Sequence, residues 1–156
     1  MSLVSDVPAA SRPSLRPILD QSFHGVYLWH ARRTLRFVTW VREARSGSEQ
    51  AGVSMAKMLG PGTGYVFYIA VAPRFRAMGV GGLLLDDARE LLRAAGATEI
   101  FACVRAANIP SLRLLESRDF LRTDFREVSR SKGFLEAARL WVRMVAAPGE
   151  TVFVSR

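Results

Sequence analysis

The stretch whose residue types and spacing are best suited to chemistry is Arg76-Ala77-Met78-Gly79-Val80-Gly81-Gly82. Three glycines in four positions remove the side chains that would hold a ligand off the backbone. From Leu83 onward the spacing is helical, and the first N–H groups of a helix have no partner within it. Such a strand, glycine loop and helix start suit a phosphate. A sharp turn or a close helix–sheet contact would use the same glycines, so the glycines alone leave both roles open. Two nucleotide motifs are excluded: a P-loop ends in Gly-Lys-Ser/Thr, whereas Gly82 is followed by Leu83-Leu84-Leu85, and a G-x-G-x-x-G fingerprint would need glycine at Leu84.

The elements around this loop follow from periodicity. Tyr65 to Val71 is an apolar, aromatic and β-branched run that reads as a buried strand. After the loop, Leu83, Leu84, Ala88, Leu91, Leu92 and Ala95 mark one helix face, and Gly96 stops it. Glu99 to Val104 is a second strand, so the three make a β-loop-α-β unit with parallel strands. Ligands of such units sit beyond the carboxyl ends of the strands. Asn108 is placed to cap a helix that starts with Pro110 and Ser111 and runs to Ser117.

Upstream, Met1 to Ser14 shows no periodicity and reads as a disordered or frayed terminus. Leu19, Phe23, Val26, Tyr27, His30 and Thr34 have helical spacing, giving one helix or two broken near Gly25 that end about Arg33. Phe23, Tyr27 and Trp29 with His24 and His30 could line a pocket or serve as core. Leu35 to Glu43 and Ala51 to Leu59 read as strands with a turn at Arg45 to Glu49, so an antiparallel meander precedes the loop unit. Downstream, Arg122 to Ser131 alternates as a strand, Phe134 to Val145 reads as a helix or, over Leu140 to Val145, a strand, and Thr151 to Val154 closes the chain as a strand.

The sum is a single α/β (α+β) domain of 156 residues, with a mixed, mostly antiparallel sheet flanked by helices. No apolar run approaches a bilayer span and no secretory leader is visible, so a soluble, cytoplasmic protein without membrane partners is expected. A single cysteine, Cys103, excludes a disulfide framework or cysteine-based metal site and reads as a small core residue. The net charge of +8 points to an acidic partner, such as a polyphosphate cofactor, an acidic substrate or nucleic acid. Its arginines are scattered along the chain, which argues against a nucleic-acid arm.

Ile69-Ala70-Val71-Ala72-Pro73, Arg76-x-x-Gly79-x-Gly81 and Val104-x-x-x-Asn108-x-x-Ser111-x-x-Leu114, closing at Phe120, together resemble the GNAT superfamily of acyl-CoA N-acetyltransferases over about Tyr65 to Phe120. The resemblance implies acetyl-CoA as cosubstrate and a primary amine, on a protein, peptide or small molecule, as acceptor. It implies that Arg76, Ala77, Met78, Gly79, Val80, Gly81 and Gly82 hold the pyrophosphate through main-chain N–H groups. Ile69, Ala70 and Val71 would pair with the pantetheine arm through their backbone, and Asn108 and Ser111 would lie near the thioester arm. A homodimer is compatible with it. The chain departs from the family at both usual proton-transfer positions: Leu115 replaces the tyrosine that protonates the leaving thiolate, and Phe67 and Tyr68 stand where many members have a carboxylate. Direct attack by a deprotonated amine, a substitute group among Tyr68, His30 and Glu127, and acyl-CoA binding without catalysis remain as alternatives. A basic binding module for nucleic acid or a protein partner is the reading from another class.

Overall fold

The computed structural model describes residues 2–144 and 148–156. The strands are β1 (Ser2–Asp6), β2 (Trp40–Ser46), β3 (Glu49–Gly60), β4 (Thr63–Val71), β5 (Glu99–Arg105), β6 (Leu121–Thr123) and β7 (Glu150–Ser155). They form one sheet in the order β1-β2-β3-β4-β5-β7-β6. Only β4 and β5 run parallel, because only they are joined by a helical crossover. The helices are α1 (Arg16–Ser22), α2 (Gly25–Phe37), α3 (Val80–Ala94), α4 (Ile109–Glu116), α5 (Phe125–Lys132) and α6 (Phe134–Met144). The sheet is thus mixed and mostly antiparallel, as the sequence implies.

Alternation along the central strands sets the two layers. Val66, Ile100, Ala102 and Phe153 pack with Leu85, Ala88 and Leu92 of α3 and with Leu112 and Leu115 of α4. Their neighbours Tyr65, Phe101, Val152 and Val154 point the other way, onto Val128 of α5 and Ala137, Leu140 and Met144 of α6. A third cluster joins Ile18 and Leu19 of α1 and Ala31 and Leu35 of α2 to Val41, Val53, Met55 and Ala70 of the meander. β4 is therefore covered on both faces, which is why it reads as a nearly continuous apolar run.

Four expectations need correction. Ser2–Asp6 is a strand, paired antiparallel with β2 in the register Ser2↔Ser46 to Asp6↔Arg42. Its residues are largely exposed on an edge, so they carry no apolar alternation. Leu35 to Phe37 ends α2 instead of opening a strand, because Leu35 continues the buried stripe of Ala31 and Thr34. The break between α1 and α2 falls at Phe23 and His24, both extended, with Gly25 beginning the second helix at φ 56°. Residues 122–131 are mainly α5 and not a strand: Asp124 caps it by accepting from the Glu127 N–H at 2.7 Å. Phe134–Met144 is helical, so Leu140 to Met144 is not a strand; Val145 lies outside the described residues.

Candidate active site

The site begins where two parallel strands part. β4 and β5 are paired from Thr63↔Glu99 to Val66↔Ala102, and the parallel register goes no further. At the same level the β3–β4 register shifts between Met55↔Tyr68 and Ala56↔Val66, which makes Phe67 the extra residue of a bulge. A bulge bends its strand and increases the twist. Here it accompanies the turn of Phe67–Val71 away from Cys103–Arg105. Main-chain groups on that side of β4 then face a gap between strands, where an extended ligand could take their hydrogen bonds.

The gap leads to the glycine turn. Pro73–Phe75 forms one 3-10 turn, and Arg76 folds back with its Nε donating to the Val71 carbonyl at 3.2 Å. Gly79 precedes α3 at φ 84°, a conformation that costs a side-chain-bearing residue about 1–2 kcal/mol. A β-carbon there would meet nothing within 4 Å, so the glycine serves the backbone turn and leaves open space above it. A β-carbon at Gly81 would lie 3.3 Å from Leu114 Cδ2, and one at Gly82 would collide with the guanidinium of Arg118. Arg118 is held by Asp86 at 3.0 Å and brings a cation to this helix start that sequence spacing does not reveal. The first turn of α3 has no acidic residue and its leading N–H groups are unpaired within the helix. These features give the arrangement the electrostatics of an anion site.

Behind the parting strands lies a cleft of about 540 Å³. Its walls come from the α1–α2 junction, the ends of β4 and β5, the start of α4 and the first residue of β7. Two of the expected proton-handling residues meet in it. His30 Nδ1 and Tyr68 Oη are 2.6 Å apart, and Phe23 meets the Tyr68 ring edge-on at 5.1 Å between centroids. Thr34 Oγ1 donates to the His30 carbonyl at 2.8 Å and fixes that turn of α2. Burial, aided by Arg33, lowers the His30 pKa, with Glu150 opposing. Burial and then Glu150 raise the Tyr68 pKa. Both side chains are therefore neutral near pH 7, and the Tyr68 hydroxyl can donate to an imidazole nitrogen.

The other expected residues divide. Ile69, Asn108 and Ser111 line the cleft, with Asn108 also capping α4 by accepting from the Ser111 N–H at 3.3 Å. Ala70 and Val71 continue β4 toward the turn. Glu127 is on exposed α5, where it accepts from Thr123 Oγ1 at 3.0 Å, and it does not line the cleft. Phe67 and Leu115 do line it, as apolar wall: Phe67 packs edge-on against Tyr65 at 4.6 Å, and Leu115 is 4 % exposed. Cys103 is a cleft residue more than a core residue, and burial first and Glu150 second push its thiol up to about 12, away from nucleophilic use. Trp29 is exposed beneath Arg33 and does not line the cleft.

Sequence reasoning missed Glu150. It is the one carboxylate among the described residues that line the cleft. It opens β7 opposite Arg105 in the β5–β7 register and accepts a hydrogen bond from Tyr27, whose ring lies under the Arg105 guanidinium at 5.0 Å. The only local signal is its place after Pro148-Gly149 at the head of the final strand. Its position beside Tyr27, more than a hundred residues away, is visible only in three dimensions.

Solved structures with the same architecture are numerous. PaiA N-acetyltransferase from Thermoplasma acidophilum, in complex with coenzyme A, matches with a TM-score of 0.74 over 100 % of this chain and 99 % of its own, at 11 % identity. A GNAT family acetyltransferase from Elizabethkingia anophelis with acetyl-CoA bound matches at 0.73 over 99 % and 97 %, with 16 % identity. The ribosomal-protein-S18-alanine N-acetyltransferase from Escherichia coli matches at 0.68 over 80 % of each chain, with 20 % identity. At these identities the likeness concerns the fold. Comparison with curated proteins finds no match. The family model described as Acetyltransferase (GNAT) family matches residues 7–120, from the end of the first strand through the loop unit to Phe120, and the chain belongs to that family.

Proposed function

We propose that the protein transfers the acetyl group of acetyl-CoA to a primary amine by direct attack. The observation that carries this reading is the parting of β4 and β5 at Val66 and Ala102, continuous with the glycine turn on one side and the cleft on the other. The coenzyme A and acetyl-CoA held by two of the matching structures support the same cosubstrate. In this reading the pyrophosphate lies on the N–H groups of Arg76 to Gly82 at the start of α3. The pantetheine arm pairs with Ile69, Ala70 and Val71, and Asn108 and Ser111 flank it.

The amine nitrogen attacks the thioester carbonyl carbon, and coenzyme A leaves as the thiolate. Tyr68 and His30 handle protons: the nitrogen's proton passes to the Tyr68 oxygen as the Tyr68 proton moves to His30 Nδ1. Leu115 and Phe67 exclude water around the thioester and take no proton. Amine-dependent release of free thiol from acetyl-CoA, across a panel of lysine peptides, polyamines and aminoglycosides, tests the reading. We expect release with at least one class, and its loss in Gly79→Glu, which puts a carboxylate into the phosphate turn. Steeply salt-dependent binding to nucleic acid with no thiol release on any amine would overturn it in favour of a basic binding module.

A further inference from the structure

Because the cleft of a basic protein holds one acid among its described lining residues, that acid has a disproportionate say in which acceptor is retained. Glu150 is carried by a strand end and not by a free loop: it stands opposite Arg105 in the β5–β7 ladder. The pair is bridged by Tyr27, which donates to Glu150 and stacks under Arg105. A carboxylate has about four lone-pair positions, so one hydrogen bond from Tyr27 leaves capacity for a second donor. Phe23 and Tyr68 meet in the same cleft, and the faces of such rings attract a cation. A carboxylate beside aromatic faces, next to the parting strands, is the chemistry that recognises an alkylammonium ion.

We propose that Glu150 is the specificity-determining carboxylate of this site, binding the ammonium group of a cationic acceptor and turning away neutral and anionic ones. The role rests on the acetyl-transfer reading for its purpose, though not for its binding. Arg105 tightens the selection, since its guanidinium repels a cation that approaches from outside the Glu150 and aromatic pocket and is itself held by the Tyr27 ring.

The test is calorimetric titration of phenethylammonium, with 2-phenylethanol as its neutral counterpart, into the full chain with and without coenzyme A. Wild type is expected to bind the ammonium and to prefer it over the alcohol. Glu150→Gln keeps the size and a hydrogen-bond acceptor for Tyr27 but should weaken ammonium binding by about tenfold or more, with coenzyme A affinity unchanged. Glu150→Asp should restore most of the loss, and Tyr27→Phe should change binding by less than about threefold, since the charge remains. Raising the salt concentration should weaken wild-type binding and leave Glu150→Gln flat. Equal affinity for amine and alcohol, no loss in Glu150→Gln, or an equal loss in Tyr27→Phe would overturn the proposal. If coenzyme A fails to bind while ammonium binding still depends on Glu150, the acetyl-transfer reading fails and this inference stands.

Discussion

At the scale of single residues, the same burial acts in opposite directions on the two partners of one hydrogen bond. It lowers the His30 pKa below its ordinary value of about 6.5 and raises that of Tyr68, so proton acceptor and proton donor are both neutral at pH 7. If His30 receives the proton, turnover holds above its folded pKa and is lost as pH falls through that value, below about 6.5. His30→Ala should remove this acidic limb and Tyr68→Phe should lower the rate across the plateau; a limb unchanged in His30→Ala would assign it elsewhere. Stability carries the same sign. Below about pH 6.5 the unfolded chain takes a proton on His30 before the folded chain does, so folding weakens as pH falls through the window between the two values. Urea titrations of wild type and His30→Ala at pH 5 and pH 8 should differ in this increment. Gly79 makes a separate point: Gly79→Ala should cost about 1–2 kcal/mol through the positive φ alone, measured by denaturant, while coenzyme A binding persists because the added methyl meets open space.

At the scale of elements, the site depends on how closely α3 lies on the meander. A β-carbon at Gly52 of β3 would come within 2.7 Å of Leu84 Cδ1 and 2.9 Å of the Ala70 carbonyl oxygen. The carbonyl belongs to the paired strand and cannot swing aside, so Gly52→Ala should destabilise by about 1–3 kcal/mol and displace β4 beside the turn. Asn108→Ala should cost about 1 kcal/mol through loss of the α4 cap. These contacts also explain what the sequence made legible. The β4–loop–α3–β5 unit was readable because burial on both faces gives β4 an unbroken apolar run and α3 a clean stripe. β1 was not, because an exposed edge strand carries no such pattern. Residues 122–131 were misread although Asp124-x-x-Glu127 is a capping signature, since polar alternation over Arg122 to Ser131 mimics a strand when Val128 is the only buried residue of the helix. Within the site, positions fixed by chain neighbours, such as the glycine turn and the Asn108 cap, were visible in the sequence. Glu150 was not, because its partners Tyr27 and Arg105 reach it only through the sheet and the α2 packing.

At the scale of the whole molecule, the net charge of +8 and the glycine turn with Arg76 and Arg118 beside it make a surface that attracts a polyanion. Among the described residues no helix is long and apolar enough to cross a membrane. The half-buried pair of Arg42 on β2 and Asp87 on α3, joined by two bonds of 2.8 Å, ties the meander to the loop unit. Its loss should therefore reduce global stability more than loss of the exposed Arg139–Glu136 pair. The central claim is that the parted strands and the glycine turn together hold acetyl-CoA, and the melting temperature with and without acetyl-CoA tests it most directly. At about a hundred times its dissociation constant a ligand adds about 2.7 kcal/mol, which for a chain of this size raises the melting temperature by roughly 5–10 °C. Wild type should show this shift, and Gly81→Glu, folded but with a carboxylate in the phosphate turn, should not. No shift in wild type at millimolar acetyl-CoA, or an equal shift in Gly81→Glu, would contradict the account.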